Sequence, residues 1–199
     1  MKQQSMSVSY GAPGGKAHNV EYEYRTGLSN VNPNRTQANE VLVNRDLVEV
    51  YEKLFGNAVL EHNEKVAVSH PERAYGSGTA KGTYLDSIRA GKREKASYEL
   101  VAQIGNMDTN PADEAGCRFV SAEVYKRFLA LFQERFPHFE ITTAAIHVDE
   151  ATPHIHVEYV PWTDAPTKRG LSVRNSHRGA MEPVGQEERP GGERTWDAR

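Results

Sequence analysis

Three histidines fall within ten positions of one stretch, Ile146-His147-Val148-Asp149-Glu150-Ala151-Thr152-Pro153-His154-Ile155-His156-Val157-Glu158-Tyr159-Val160-Pro161. On a β-strand successive side chains point to opposite faces, so His154 and His156 project from one face about 7 Å apart while Ile155 faces the other. The run Asp149-Glu150-Ala151-Thr152-Pro153 reads as a hairpin connection that brings His147 alongside them. Three imidazoles on one sheet face, supplied by two paired strands, make a facial metal site with coordination positions left open, as catalysis requires. A phosphate oxygen or a water fits those positions. Two plainer readings compete. Histidines buried in an apolar strand without partners would be costly, which argues against a chance cluster. A closed structural site would call for a fourth protein ligand, and Cys117 lies in an unrelated loop.

The elements that must position this hairpin follow from periodicity. Ser5–Tyr10 alternates Met6, Val8 and Tyr10 with serines, the pattern of a half-buried strand, and Gly11-Ala12-Pro13-Gly14-Gly15 breaks it. Val20, Tyr22 and Tyr24 alternate in the next segment, and Glu40–Val43 reads as a short strand. Asp46 to about Glu64 is a helix with one stripe of Leu47, Val50, Tyr51, Leu54, Val59 and Leu60, with Asn44 or Asp46 as N-cap and Gly56 as a point of interruption. His70–Gly82 is a loop, Thr83–Ala90 a short helix ending at Gly91, and Ala96–Ile104 an alternating strand. Ser121–Phe136 is an amphipathic helix stopped by Pro137, and Leu171–Glu182 a further one. Helices among hairpin-compatible strands give an α+β fold, a central antiparallel sheet flanked by helices.

The chain has 199 residues, 38% of them hydrophobic and 26% charged, which suits one domain whose core needs neither disulfide nor metal to hold it. The domain is expected over residues 1–183, with 184–199 the start of a truncated C-terminal region or linker. A single cysteine fits a reducing, cytoplasmic compartment, and no signal-peptide-like start or run of about 18 apolar residues appears. Net charge is −3, yet the stretch from Ala165 to Met181 carries Lys168, Arg169, Arg174 and Arg178 without a carboxylate. Five basic residues likewise outweigh two acidic ones between Lys81 and Lys95. Such local patches fit contact with a phosphate backbone, although charge runs also serve as solvated faces. Tyr75, Tyr84 and Trp162 are read as core residues before base-stacking ones.

The segment His147-Val148-Asp149-Glu150-Ala151-Thr152-Pro153-His154-Ile155-His156, followed by Val160-Pro161, resembles the third motif of MobV-type (Pre/Mob) plasmid mobilization relaxases, with all seven fixed positions of H-x-D-E-x-T-P-H-x-H matched. His18-Asn19 is similar to that family's first motif, and Asn32-Pro33-x-Arg35 with Asn39 to its second. The resemblance runs from about residue 16 to 182. It implies a histidine-hydrophobic-histidine relaxase that nicks one strand at a plasmid or mobile-element origin of transfer. His147, His154 and His156 match the metal ligands, with manganese favoured in the family and magnesium or another divalent ion as the alternative. His18 matches a histidine nucleophile, and Glu150 an acidic residue that orients or deprotonates it. The composition of the site alone suits zinc, nickel or copper equally well.

Attack by a neutral His18 nitrogen would release a 3′-hydroxyl and leave the 5′-phosphate on the protein as a phosphoramidate. The family's first motif places an arginine three residues after the histidine, where this chain has Glu21, so Arg25 or Arg35 is left to supply the phosphate contact. Tyr22 and Tyr24 stand as alternative nucleophiles. Asn19, Arg25, Arg35, Lys168, Arg169, Arg174 and Arg178 are the expected contacts to single-stranded or hairpin origin DNA. Accessory and coupling proteins, and dimerisation, are expected through a region beyond this one, with no membrane contact by this portion. The competing functions are a replication initiator or metal-dependent phosphodiesterase of the same superfamily, and a non-catalytic DNA-binding repressor.

Overall fold

The computed structural model describes residues 5–11, 19–20, 30–113, 116–117, 120–164 and 170–185. Among them run β1 (Met6–Gly11), β2 (Glu40–Asn44), α1 (Leu47–Val66), α2 (Tyr84–Ala90), β3 (Tyr98–Ile104), β4 (Ala112–Asp113), β5 (Gly116–Cys117), α3 (Ala122–Arg135), β6 (Phe139–His147), β7 (His154–Thr163), β8 (Arg174–Asn175) and α4 (His177–Gly185). The chain forms two compact units. The first takes the described residues of Met1–Arg45, Ser97–Glu134 and Ile141–Tyr159, the second those of Asp46–Ala96, Arg135–Glu140 and Val160–Arg199. No helix among the described residues is long and apolar enough to cross a membrane.

The first unit is built on a sheet in the order β1-β3-β7-β6-β2. β1 with β3, β3 with β7 and β2 with β6 are antiparallel, and the short connection 148–153 makes β6 and β7 a hairpin. This is the expected α+β architecture. In β7 the alternation assigns the two faces: Ile155, Val157 and Tyr159 are fully buried, and the Tyr159 ring lies 5.8 Å from that of Phe132 on α3. Tyr125, Phe128 and Phe132 share one stripe of α3 at helical spacing. The opposite face of β7 carries His154, His156 and Glu158, in register with Gln103, Val101 and Glu99 of β3.

β1 forms where expected, but its burial differs. Met6, Val8 and Tyr10 are 48%, 39% and 71% exposed, because alternation in an edge strand reports extended backbone without supplying a covering layer. At the far end of β3 the chain turns at Gly105, whose φ of 73° suits glycine alone; a Cβ there would meet the Thr109 hydroxyl at 2.6 Å.

In the second unit, Val50, Tyr51, Phe55, Leu85 and Val160 form the core, with Leu47, Leu54, Tyr84, Ile88, Trp162 and Val173 packed against it. Tyr51 and Phe55 meet edge to face at 5.0 Å, as do Phe55 and Tyr84 at 5.1 Å. Tyr84 and Trp162 are therefore packing residues. α1 starts at Asp46, whose carboxylate accepts from the amides of Val48 and Glu49, and it runs through Gly56 without a break. α2 is closed by a reciprocal box between Thr83 and Asp86.

The helix expected over Leu171–Glu182 begins later, at His177. The amide of Asn175 donates to the Tyr84 hydroxyl at 3.0 Å, and its side chain donates to the Tyr51 hydroxyl at 2.7 Å and the Lys95 carbonyl at 3.0 Å. These bonds hold Arg174 and Asn175 extended against the end of β7, and Ser176 accepts from the Gly179 amide to open the helix. Tertiary partners overrode the local periodicity. Asp46→Ala is expected to lower stability by about 1 kcal/mol through loss of the cap, a change that urea unfolding followed by circular dichroism would read.

Candidate metal centre

His147 ends β6, and His154 and His156 open β7, so the hairpin sets all three rings on one side of the sheet. They are buried, with His147 at 0% exposure. Ring centroids stand 5.4 Å apart for His147 and His154, 4.6 Å for His147 and His156, and 4.9 Å for His154 and His156. One nitrogen from each ring falls within 4.8 Å of the others, as a shared cation requires.

Each ring is oriented by an acceptor. Nδ1 of His154 donates to the Thr152 carbonyl at 2.9 Å, and Nδ1 of His156 to Oε1 of Glu99 at 2.7 Å. Nε2 of His147 donates to the Asn19 carbonyl at 3.1 Å. A neutral imidazole holds one proton, so these bonds leave lone pairs on Nε2 of His154, Nε2 of His156 and Nδ1 of His147. The two Nε2 atoms face each other at 3.0 Å. Ligand bonds of about 2.1 Å meeting at right angles place donor atoms about 3 Å apart, the spacing of the two Nε2 atoms, and a nitrogen of His147 within 4.8 Å is available as a third donor; each ring is backed by a hydrogen-bonded partner.

The corner of the hairpin supplies the acidic groups. Asp149 is fully buried; its Oδ2 accepts from the Thr36 hydroxyl at 3.0 Å and from Nδ2 of Asn39 at 2.8 Å, while Oδ1 of Asn39 accepts from the Val148 amide at 2.8 Å. The Asn32 amide donates to the Asp149 carbonyl at 2.7 Å, and the Arg35 guanidinium to the carbonyls of Asp149 and Glu150 at 3.4 and 3.0 Å. Asp149 thus holds the loop through Oδ2, and one of its oxygens also lies within 4.8 Å of ligand atoms of His147 and Glu150. Glu150 is turned the other way: its Oε1 lies 3.9 Å from both Nδ1 of His147 and Nε2 of His154, and its Oε2 accepts from Asn30 at 3.1 Å. That carboxylate borders the lone-pair side of the cluster.

Among the residues expected to act, the structure brings together His147, His154, His156, Glu150, Asn19 and Arg35. Asn19 is buried, and its side chain donates to Glu99 at 2.8 Å. Arg174 lies in β8 and Arg178 on α4, where it pairs with Glu182 at 3.8 Å, both in the second unit. His18, Arg25, Lys168 and Arg169 lie outside the described residues, as do Glu21, Tyr22 and Tyr24. Sequence reasoning missed Glu99 and Asp149. A charged residue inside the apolar alternation of β3 was the available signal for Glu99. Burial raises the pKa of Glu158, opposite Glu99 in register, while the Ser97 hydroxyl draws it back and the Glu99 charge raises it further.

Asn39→Ala removes a donor to the buried Asp149 and the acceptor of the Val148 amide. It is expected to cost about 2–3 kcal/mol, and a matching loss in urea unfolding would show that this segment clamps the corner carrying Glu150.

Residues 90–180 match the Mob_Pre family, described as plasmid recombination enzyme. No curated protein matches the chain significantly. Two similar solved structures are of the MobM relaxase domain (MOBV; Mob_Pre) bound to plasmid pMV158 oriT DNA. The Mn-bound crystal structure at pH 5.5, with 22 nucleotides, is 20% identical, covers 89% of this chain and 76% of that chain, and has a TM-score of 0.43. The Mn-bound structure at pH 6.8, with a 3′-thiophosphate, gives 20%, 89%, 76% and 0.42. The stretch matched to the Mob_Pre family of plasmid recombination enzymes contains β3, the hairpin and all three clustered histidines.

Proposed function

We propose that this protein is a relaxase that nicks one strand of DNA at an origin of transfer by metal-assisted transesterification. The observation that carries the reading is the buried His147, His154 and His156 cluster, bordered by Glu150, inside the stretch matched to Mob_Pre. A divalent cation on the three nitrogens, manganese before magnesium, supplies full positive charge against the scissile phosphate, since neutral ligands do not offset it.

His18 is the proposed nucleophile. Its neutral ring nitrogen forms a bond to phosphorus in line with the scissile P–O3′ bond; that bond breaks, and the 3′-oxygen departs and takes up a proton. The 5′-phosphate stays on His18 as a phosphoramidate, which keeps the bond energy available for religation. Glu150 is the proposed acidic residue that orients or deprotonates the nucleophile. Arg25, Lys168, Arg169, Arg174 and Arg178 contact phosphates of the single-stranded or hairpin substrate. Residues 1–183 act as the catalytic domain, working in the cytoplasm, with accessory and coupling proteins as partners of the larger assembly and dimerisation a property of that assembly.

The test is a denaturing gel of the manganese-loaded protein after incubation with single-stranded oligonucleotides tiling the DNA upstream of its gene. Wild type is compared with His18→Ala and Tyr22→Phe. The proposal expects an SDS-resistant, manganese-dependent adduct that His18→Ala abolishes and Tyr22→Phe retains. Loss only in Tyr22→Phe moves the nucleophile, cleavage without adduct replaces transesterification by hydrolysis, and binding without cleavage in any divalent metal leaves a DNA-binding repressor.

A further inference from the structure

One oxygen atom links the metal site to the backbone beside the proposed nucleophile. Oε1 of Glu99 accepts both from Nδ1 of His156, at 2.7 Å, and from Nδ2 of Asn19, at 2.8 Å. The carbonyl of Asn19 in turn accepts from Nε2 of His147 at 3.1 Å. The path His156–Glu99–Asn19–His147 therefore closes on the ligand cluster at both ends, through residues that are all buried. A carboxylate held at 5% exposure within a strand is costly to desolvate, and the two donors sharing one oxygen offset that cost.

Asn19 follows His18 directly, and Cα atoms joined by a trans peptide stand about 3.8 Å apart. Glu99 and His147 together hold Asn19 by both its side chain and its carbonyl. We infer that Glu99 is a positioning residue that couples occupation of the histidine cluster to the placement of Asn19, the neighbour in sequence of the proposed nucleophile. When a cation draws His147 and His156 into one geometry, Asn19 is drawn with them, and by reciprocity an ordered Asn19 raises cation affinity. The catalytic half of this inference rests on the relaxase reading; the metal half stands without it.

Glu158 supplies the control. It lies directly opposite Glu99 in the strand register, yet its carboxylate accepts from Ser97. The experiment measures manganese affinity by calorimetry and amide exchange at Asn19 and Val20, with and without manganese, in wild type, Glu99→Gln, Asn19→Ala and Glu158→Gln. Adduct formation at saturating manganese is followed in parallel.

Manganese is expected to slow exchange at Asn19 and Val20 by about tenfold or more in wild type and to have little effect on it in Glu99→Gln. Affinity should fall about 10–100-fold in Glu99→Gln, less in Asn19→Ala, and stay near wild type in Glu158→Gln. Adduct formation should remain slow in Glu99→Gln and Asn19→Ala even at saturating metal. Unchanged affinity in Glu99→Gln, exchange at Asn19 that ignores manganese in wild type, or full rescue of both variants by excess metal would each overturn the coupling. If Glu99→Gln does not fold, Asn19→Ala decides by the same readouts. A wild type that forms no adduct defeats the relaxase reading alone, because affinity and exchange still decide the coupling.

Discussion

Nε2 of His154 and Nε2 of His156 face each other at 3.0 Å while the other nitrogen of each ring is held by an acceptor, the Thr152 carbonyl or the Glu99 carboxylate. Two lone pairs directed at one another repel unless something positive lies between them. The surrounding elements keep that arrangement from relaxing. Extended backbone in β7 holds both rings on one face, β3 presents Glu99, and the Tyr125 hydroxyl donates to the Pro153 carbonyl at 2.6 Å, fastening the loop to α3. The hairpin corner is tied separately through Asp149 to Thr36 and Asn39. A structure that holds these nitrogens close together on one face of the sheet is preorganised for a cation, because the cost of bringing them together is met in folding.

One strand serves both the core and the site. In β7 the set Ile155, Val157 and Tyr159 is buried on the side of α3, and the set His154, His156 and Glu158 forms the polar side. A shift of one residue in the pairing with β3 would exchange the two sets, placing imidazoles in the apolar layer. The hydrophobic pattern that stabilises the first unit is thus the same constraint that aims the ligands.

This explains what was legible in the sequence. The histidine spacing, the turn residues between the strands and the alternation in β7 are local signals, and they led to the clustering of the three histidines and the α+β class. Glu99 is 57 residues from His156, and its role depends on register with β7, which no local pattern reports. Asp149 read as part of a motif, but its burial depends on Thr36 and Asn39, more than 100 residues away. Arg35 read as a phosphate contact, and its guanidinium is found on two carbonyls of the hairpin corner. The late start of α4 has the same origin, since Asn175 exchanges helical bonds for Tyr51, Tyr84 and Lys95.

Three clustered imidazoles with one carboxylate at their border make a site in which a divalent cation would keep its full charge, since neutral ligands do not offset it. The most direct test of the centre is anomalous diffraction at the manganese edge from crystals of the manganese-loaded protein. The account predicts a single peak within bonding distance of Nδ1 of His147, Nε2 of His154 and Nε2 of His156. A peak held by Asp149 and Glu150 with His154 and His156 beyond bonding distance, or no peak at saturating manganese, would contradict it.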